Sequence, residues 1–203
     1  MITIRGFENF DKAPKEKQQA VLTAGFRCFA EDGYRKTAMS EIAAAANVSK
    51  PSLFHYFGSK REMYLYLFSF ACDKIAGQIP EGTDDFFECI SIGSKIKLAV
   101  MQQHPGMYEF LFSLVKSGDS ETIEMLKQEN AQAIADGTKK LFAHVDWSRF
   151  KPEVDKNDAV EMVSALSNGY LRDYIDKPRD ELVEKMDKHL RLLKQALYKE
   201  EYL

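Results

Sequence analysis

Long apolar runs are missing from this sequence of 203 residues. The longest stretch without a charged residue covers residues 98–108, only 11 positions, whereas a helix that spans a bilayer needs about 20 apolar residues. The N-terminal residues contain no apolar segment followed by a small-residue cleavage pattern, which a secretory signal would have. We therefore expect no membrane span and a cytoplasmic location.

Cysteine is scarce. Cys28, Cys72 and Cys89 are odd in number and widely spaced, and each lies in an apolar, helix-like neighbourhood. This pattern is unlike a disulfide framework or a paired Cys-x-x-Cys metal site. We interpret the three as core thiols and expect neither a metal nor a cofactor.

Catalytic motifs are absent as well. The sequence has no glycine-rich phosphate loop, no Gly-x-Ser-x-Gly elbow and no His-Glu-x-x-His metal motif. The four histidines, at positions 55, 104, 144 and 189, are far apart. We therefore predict that the protein is not an enzyme.

Strand patterns are almost missing, and helical patterns replace them. Apolar residues make up 45% and charged residues 29%, as in ordinary globular proteins. Apolar positions recur every three or four residues, and Pro, Gly, Ser and Asn stand where helices begin and end. The pattern predicts an all-α protein of about nine helices, over residues 14–33, 37–47, 49–58, 60–77, 84–103, 105–116, 120–144, 156–176 and 180–199.

Two short predicted helices, joined by residues 46–49, have the arrangement of a helix-turn-helix. Thr37 and Ser49 are their predicted N-caps, and Pro51 falls in the first turn of the second helix. The net charge of the whole chain is −3, but residues 1–62 carry +3 and residues 63–203 carry −6. A basic module on an acidic body agrees with DNA binding. By spacing alone, an αα-hairpin inside a helical bundle explains the pattern equally well.

The residue types favour the first interpretation. The stretch from Thr37 to Ala43 reads TAMSEIA, and residues 45–62 read AANVSKPSLFHYFGSKRE. Together with the preceding FAEDGY at residues 29–34, they closely resemble the DNA-binding domain of TetR-family transcriptional regulators. The resemblance covers roughly residues 18–67. It implies a DNA-binding regulator, most often a repressor, that binds a palindromic operator as a homodimer and is released by a small, largely apolar effector.

The resemblance also assigns roles to residues. Lys50, Pro51, Ser52 and Phe54 occupy the exposed face of the recognition helix, where Lys50 would meet guanine or phosphate and Pro51 and Phe54 would meet thymine methyl groups. Family members often have Tyr at the position of Phe54, so a groove contact and a core position both stay open for this ring. The remaining candidates for DNA contact, mostly with the DNA backbone, are Thr37, Ser40, His55, Tyr56 and Lys60.

We predict a DNA-binding domain over residues 1–60 and a helical effector-binding and dimerisation domain over residues 61–203. The second domain is rich in aromatic residues and methionine, which suits an adaptable apolar pocket. The residues expected to line this pocket are Met101, Tyr108, Phe112, Met125, Trp147 and Tyr170. Apolar stripes on the last two helices predict a dimer interface made of Val163, Leu166, Tyr174, Leu182, Met186, His189, Leu193 and Leu197. The same stripes could instead face the chain's own core.

One further alternative is a helical adaptor that contains an αα-hairpin and does not bind DNA. The two hypotheses differ in a measurable property, because binding to DNA phosphates depends steeply on salt concentration.

Overall fold

The computed structural model describes residues 7–117, 120–173 and 179–203. Within these ranges the chain is helical, and apart from one antiparallel bridge between Phe150 and Tyr198 it contains no β-structure. The α-helices are α1 (Glu8–Asp11), α2 (Lys15–Lys36), α3 (Met39–Ala45), α4 (Lys50–Phe57), α5 (Lys60–Ala76), α6 (Phe86–Gln103), α7 (Met107–Ser117), α8 (Ser120–Glu129), α9 (Ala131–Leu141), α10 (Lys156–Asp173) and α11 (Arg179–Leu197). Short 3-10 helices cover Trp147–Arg149 and Glu200–Tyr202. The predicted all-α class is confirmed.

The described residues form eleven α-helices instead of about nine, for two local reasons. The four-residue α1 is too short to produce a helical period in the sequence. The helix predicted over residues 120–144 is divided at Asn130, whose side-chain amide donates to the Leu126 carbonyl at 2.9 Å and whose carbonyl oxygen accepts from the Ser69 hydroxyl at 2.5 Å. A buried side chain that bonds to the helix backbone competes with the regular helical ladder.

The chain divides into two compact units. The first comprises the described residues of Met1–Gln78 and Leu98–Asp136, and the second comprises Ile79–Lys97 and Gly137–Leu203. By packing, therefore, α5, α7 and α8 belong to the same unit as the helix-turn-helix. The division at residue 60 concerns function and stays a prediction.

Helix α2 lies at the centre of the first unit. Its Phe26 and Phe29 are buried, and the Phe26 ring lies 5.3 Å from the ring of Phe110 on α7. Where α7 begins, Gly106 has a φ of 85°, and a Cβ at this position would meet Phe26 and Arg27 at 2.9–3.2 Å. Glycine therefore permits the close contact between the start of α7 and α2.

Aromatic residues fill the core of the second unit. Phe86, Phe87 and Phe150 are buried around Tyr198, whose hydroxyl accepts a hydrogen bond from the backbone N–H of Phe86 at 3.0 Å. Asp85 caps the start of α6, because its carboxylate accepts hydrogen bonds from the backbone N–H groups of Phe87 and Glu88 at 2.9 and 3.0 Å.

None of the described helices combines the length and the apolar character that crossing a membrane requires.

Candidate nucleic-acid interface

The turn between α3 and α4 depends on a left-handed residue. Asn47 has a φ of 52°, the one positive value among the described non-glycine residues. Asparagine tolerates this conformation better than most residue types do. The turn is closed by the backbone N–H of Val48, which donates to the Ala43 carbonyl at 3.0 Å. Ile42 and Ala43 are buried beneath it, so the small alanine allows the two helices to approach.

Helix α4 begins where the sequence predicts. The Ser49 hydroxyl oxygen accepts from the backbone N–H of Ser52 at 3.2 Å, and Pro51 lies in the first turn. Leu53 and Phe57 are buried, and Gly58 ends the helix with a φ of 72°. The amphipathic pattern of α4 therefore leaves its opposite face uncovered.

This uncovered face carries four of the predicted DNA-binding residues: Lys50, Pro51, Phe54 and His55, all exposed. The Phe54 side chain is 41% exposed, which decides between the two interpretations of this ring in favour of a surface position. The Lys50 ammonium lies 5.9 Å from the centre of the Phe54 ring. A cation and a flat apolar ring therefore stand side by side, which suits contacts with guanine and with thymine methyl groups.

The role of Thr37 in the structure differs from the predicted one. The N-cap of α3 is Ala38, and its backbone N–H is bound by the Glu41 carboxylate at 2.8 Å. The Thr37 side chain is only 1% exposed, because its hydroxyl donates to the carbonyls of Gly33 and Cys28 at 2.7 and 3.1 Å. Thr37 is therefore not the helix cap, and its hydroxyl is not presented to a DNA phosphate in this structure.

Lys60 is held by the backbone around Thr37. Its ammonium donates to the carbonyls of Arg35 and Thr37 at 3.2 and 3.1 Å and lies 4.9 Å from the Tyr34 ring centre. Ser59 caps α5 by accepting from the backbone N–H of Glu62 at 3.1 Å. Lys60 therefore ties the end of α2 to the start of α5, in addition to bringing a positive charge to this edge.

The remaining predicted contacts are less uniform. Ser40 is exposed on α3, whereas Ser52 and Tyr56 are half-buried. The Ser52 hydroxyl is 2.7 Å from that of Ser49, and the Tyr56 ring packs 5.4 Å from Phe10 of α1. The contact of α1 with α4 could not be predicted from the sequence, because residues 7–13 show only two phenylalanines and no periodic pattern.

Two arginines near Lys60 were not among the DNA-binding residues predicted from the sequence. Arg35 forms an ion pair with Glu121 at 3.3 Å, and Arg61 forms one with Glu129 at 2.9 Å. Both glutamates belong to α8. Basic residues of the helix-turn-helix unit are therefore engaged by an acidic helix that lies outside the motif.

The six predicted effector residues lie in both units. Met101, Tyr108 and Phe112 are buried and Met125 is half-buried in the first unit; Tyr170 is buried and Trp147 half-buried in the second. In the second unit the described residues form an open cleft of about 360 Å³, lined by Asp85, Phe87, Glu88, Ser91, Asp187, Leu190, Arg191 and Lys194. None of the six lines this cleft, and the effector pocket stays a prediction.

The predicted dimer residues pack largely within one chain. Val163, Leu182 and Met186 are buried in the core of the second unit, and Leu166, Leu193 and Leu197 pack against that core. His189 is half-buried, its ring 5.6 Å from Tyr170, and Tyr174 lies outside the described residues. An apolar stripe does not specify what covers it, and here the same chain covers it. Among the described residues of these helices, the large apolar side chains that are exposed are those of Met162 and Leu192.

Comparison with known proteins agrees with this geometry. Residues 21–67 match the family model of bacterial regulatory proteins of the tetR family. The HTH-type transcriptional regulator RutR of Escherichia coli O157:H7 is 29% identical over 161 residues, which cover 78% of this chain and 76% of RutR. The HTH-type transcriptional repressor AcnR of Corynebacterium efficiens is 35% identical over 54 residues, 27% of this chain and 29% of AcnR.

The fold has similar solved structures too. A TetR family transcriptional regulator from Chloroflexus aurantiacus superposes with a TM-score of 0.65 at 17% identity, covering 95% of this chain and 98% of that one. A likeness at this identity establishes the fold, whereas the family model assigns residues 21–67 to the tetR DNA-binding domain. The chain therefore carries a DNA-binding domain of the TetR family in residues 21–67 and is a DNA-binding transcriptional regulator.

Proposed function

We propose that this regulator is a repressor that binds a near-palindromic operator as a homodimer and leaves it when a small, largely apolar effector binds. The observation that carries the DNA-binding part is the uncovered face of α4, with Lys50, Pro51, Phe54 and His55 exposed on a helix whose other face is buried. Such a helix fits the major groove, where its N-terminal residues reach base edges. Ser40 and Lys60 are the proposed contacts with the DNA backbone. We also propose a cytoplasmic location, because the protein must reach the DNA that it binds.

Binding selection from a random duplex library tests sequence reading. We expect enrichment of an inverted repeat, whose two half-sites reflect a two-fold symmetric protein. Affinity for the enriched duplex should fall steeply as salt rises. Equal affinity for enriched and random duplexes would contradict sequence-specific binding, and no salt-dependent binding at all would favour the helical adaptor. A reporter gene behind the enriched site then distinguishes repression from activation.

The homodimer is proposed because one helix-turn-helix reads only a few base pairs, so two copies are needed to raise affinity and specificity. The proposed surface differs from the predicted stripes. It contains the exposed faces of α10 and α11 around Met162 and Leu192, since these apolar side chains are 41% and 53% exposed among the described residues. Light scattering at micromolar concentration measures the mass directly.

The effector is proposed to act through α7. Within the first unit, Phe110 of α7 contacts Phe26 of α2 at 5.3 Å and Tyr64 of α5 at 5.3 Å, and His104 just before α7 contacts Phe70 at 5.2 Å. A ligand that moves α7 therefore acts on both helices that hold the helix-turn-helix.

Coupling between effector and operator is reciprocal, typically about 5–150-fold. A thermal-shift screen identifies ligands, because a ligand that binds only the native state raises its stability. Each ligand found is then titrated into the protein with and without the enriched duplex. We expect weaker ligand binding in the presence of DNA; equal affinity in both states would contradict induction by that ligand.

A further inference from the structure

The segment before α2 packs against the recognition helix. Phe7 and Phe10 of this segment are buried, and Phe10 is only 1% exposed. Their ring centres lie 5.9 and 4.7 Å from that of Phe57, the last residue of α4. Phe10 also lies 5.4 Å from the ring of Tyr56. Residues 7–18 lie before residue 21, where the family match begins.

Polar bonds hold the segment in place. The Tyr66 hydroxyl on α5 donates to the Asp11 carboxylate at 3.1 Å, and the Phe10 and Tyr66 rings meet edge to face at 5.3 Å. The Gln18 amide on α2 donates to the carbonyls of Asp11 and Ala13, both at 2.8 Å. The segment is therefore attached to α2 and α5 and reaches α4 from these two fixed helices.

Helix α4 depends on such support. It has eight residues, and a helix of about two turns is not stable in water without tertiary packing. Only Leu53 and Phe57 of this helix are buried. Phe7 and Phe10 cover Phe57 at the C-terminal turn, whereas Lys50 and Phe54 remain open to a ligand. The contacts with α1 therefore restrain the direction of α4 without occupying its DNA-facing side.

We propose that Phe7 and Phe10 are positioning residues for base recognition: they hold the C-terminal turn of α4 so that its exposed residues meet base edges in one register. This inference rests on the proposed reading of bases by α4. It separates two properties, since base contacts carry the sequence information whereas phosphate contacts are available on every sequence. Loss of the aromatic contact should thus reduce discrimination between sequences more than it reduces attraction to DNA.

The test compares the full-length wild-type chain with Phe10→Ala by fluorescence anisotropy, on the enriched duplex and on a random duplex of equal length at one salt concentration. We expect operator affinity to fall about tenfold, a loss comparable to one mismatched base pair. Affinity for the random duplex should stay within about twofold, because it depends on phosphate contacts. Phe10→Leu, which keeps apolar bulk, should restore most of the discrimination. In hydrogen exchange, amides of α4 should lose protection in Phe10→Ala while those of α10 do not.

Phe150→Ala is the matched control, since it also removes a buried aromatic ring, but from the second unit. It should leave the ratio of operator affinity to random-duplex affinity unchanged, under conditions in which each variant is folded. If Phe10→Ala does not fold, the test uses Tyr66→Phe instead, which removes only the hydroxyl that binds Asp11. For this variant we expect a smaller fall in the ratio of operator affinity to random-duplex affinity. An unchanged ratio in the variant tested, or an equal fall in Phe150→Ala, would overturn the inference. Absence of discrimination in the wild-type chain would instead overturn the proposed function.

Discussion

Lys50 and Lys60 have the same charge but are held differently. The Lys50 ammonium is exposed beside the Phe54 ring, whereas that of Lys60 is bound by the carbonyls of Arg35 and Thr37. The first can therefore turn toward a base. The second presents its charge from a fixed place at the junction of α2 and α5.

These positions predict different effects on DNA binding. Lys50→Ala should cost about 1–3 kcal/mol on the operator and relax preference at one or two base positions, if it reads guanine. Lys60→Ala should weaken operator and random duplexes alike and lower the salt slope by about 1. Repeating the binding selection with each variant measures both effects. A selected sequence unchanged by Lys50→Ala would contradict a base contact.

Asp85 is a second residue whose role can be tested. Burial by itself raises the pKa of this carboxyl, but hydrogen bonds from Lys194 and from the backbone N–H groups of Glu88 and Phe87 outweigh it, so the pKa lies below its ordinary value. The unfolded chain, with a pKa of about 3.9, therefore binds this proton more readily than the folded one. Ionised Asp85 stabilises the fold above that pH, and the contribution is lost as the pH falls through the folded pKa.

We expect Asp85→Asn to lower the free energy of unfolding by about 1–3 kcal/mol at pH 7. The difference from the wild type should shrink as the pH falls from about 5 to 3. Urea unfolding at four pH values in this range measures it. Glu153→Gln, at an exposed position of the same unit, is the control. A difference that stays constant with pH would show that the carboxylate charge does not stabilise the fold.

At the scale of elements, α8 shows how a helix outside the motif can influence DNA binding. Its Glu121 and Glu129 pair with Arg35 at the end of α2 and Arg61 at the start of α5. These side chains are largely exposed, so each pair is weak and easily exchanged. The arginines stand next to Lys60 and can meet DNA phosphates once the glutamates release them.

Glu129→Gln should therefore raise affinity for all duplexes by about two- to fivefold at low salt, with the effect fading as salt screens the charges. Glu121→Gln should act in the same direction. Glu124→Gln is the matched control on the same helix, because the Glu124 carboxylate accepts from Gln128 instead of pairing with an arginine. Anisotropy titrations at two salt concentrations measure the change. Equal effects of Glu129→Gln and Glu124→Gln would mean that only the net charge matters.

At the scale of the whole molecule, two neighbouring leucines of α11 distinguish folding from assembly. Leu192 is 53% exposed, whereas Leu193 packs against the core of the second unit. A charge at Leu192 should disturb only a partner chain, and a charge at Leu193 should disturb the fold.

Leu192→Glu is therefore expected to raise the dissociation constant of the dimer about tenfold or more while leaving the melting temperature of the monomer unchanged. Leu193→Glu should lower the melting temperature instead. Analytical ultracentrifugation with parallel thermal unfolding separates the two effects. If Leu192→Glu and Met162→Glu both keep the wild-type mass, the interface lies elsewhere.

The sequence by itself determined the helical class, the helix-turn-helix and several helix ends. Ser49, Pro51 and Gly58 could be placed correctly because caps and left-handed residues act on backbone groups within a few positions. The helical period predicted which positions of α4 are buried. It therefore also predicted which side of this helix is exposed. Family resemblance in the same residues was enough to indicate a DNA-binding regulator.

Only the tertiary structure decided what covers each surface. It placed the stripe through Val163, Leu182 and Met186 in the chain's own core, turned the Thr37 hydroxyl inward, and set Phe10 against the recognition helix. Periodicity shows that a helix has an apolar face but not which distant element will bury it. That choice depends on contacts between residues far apart in the chain, whose combined packing no local pattern encodes.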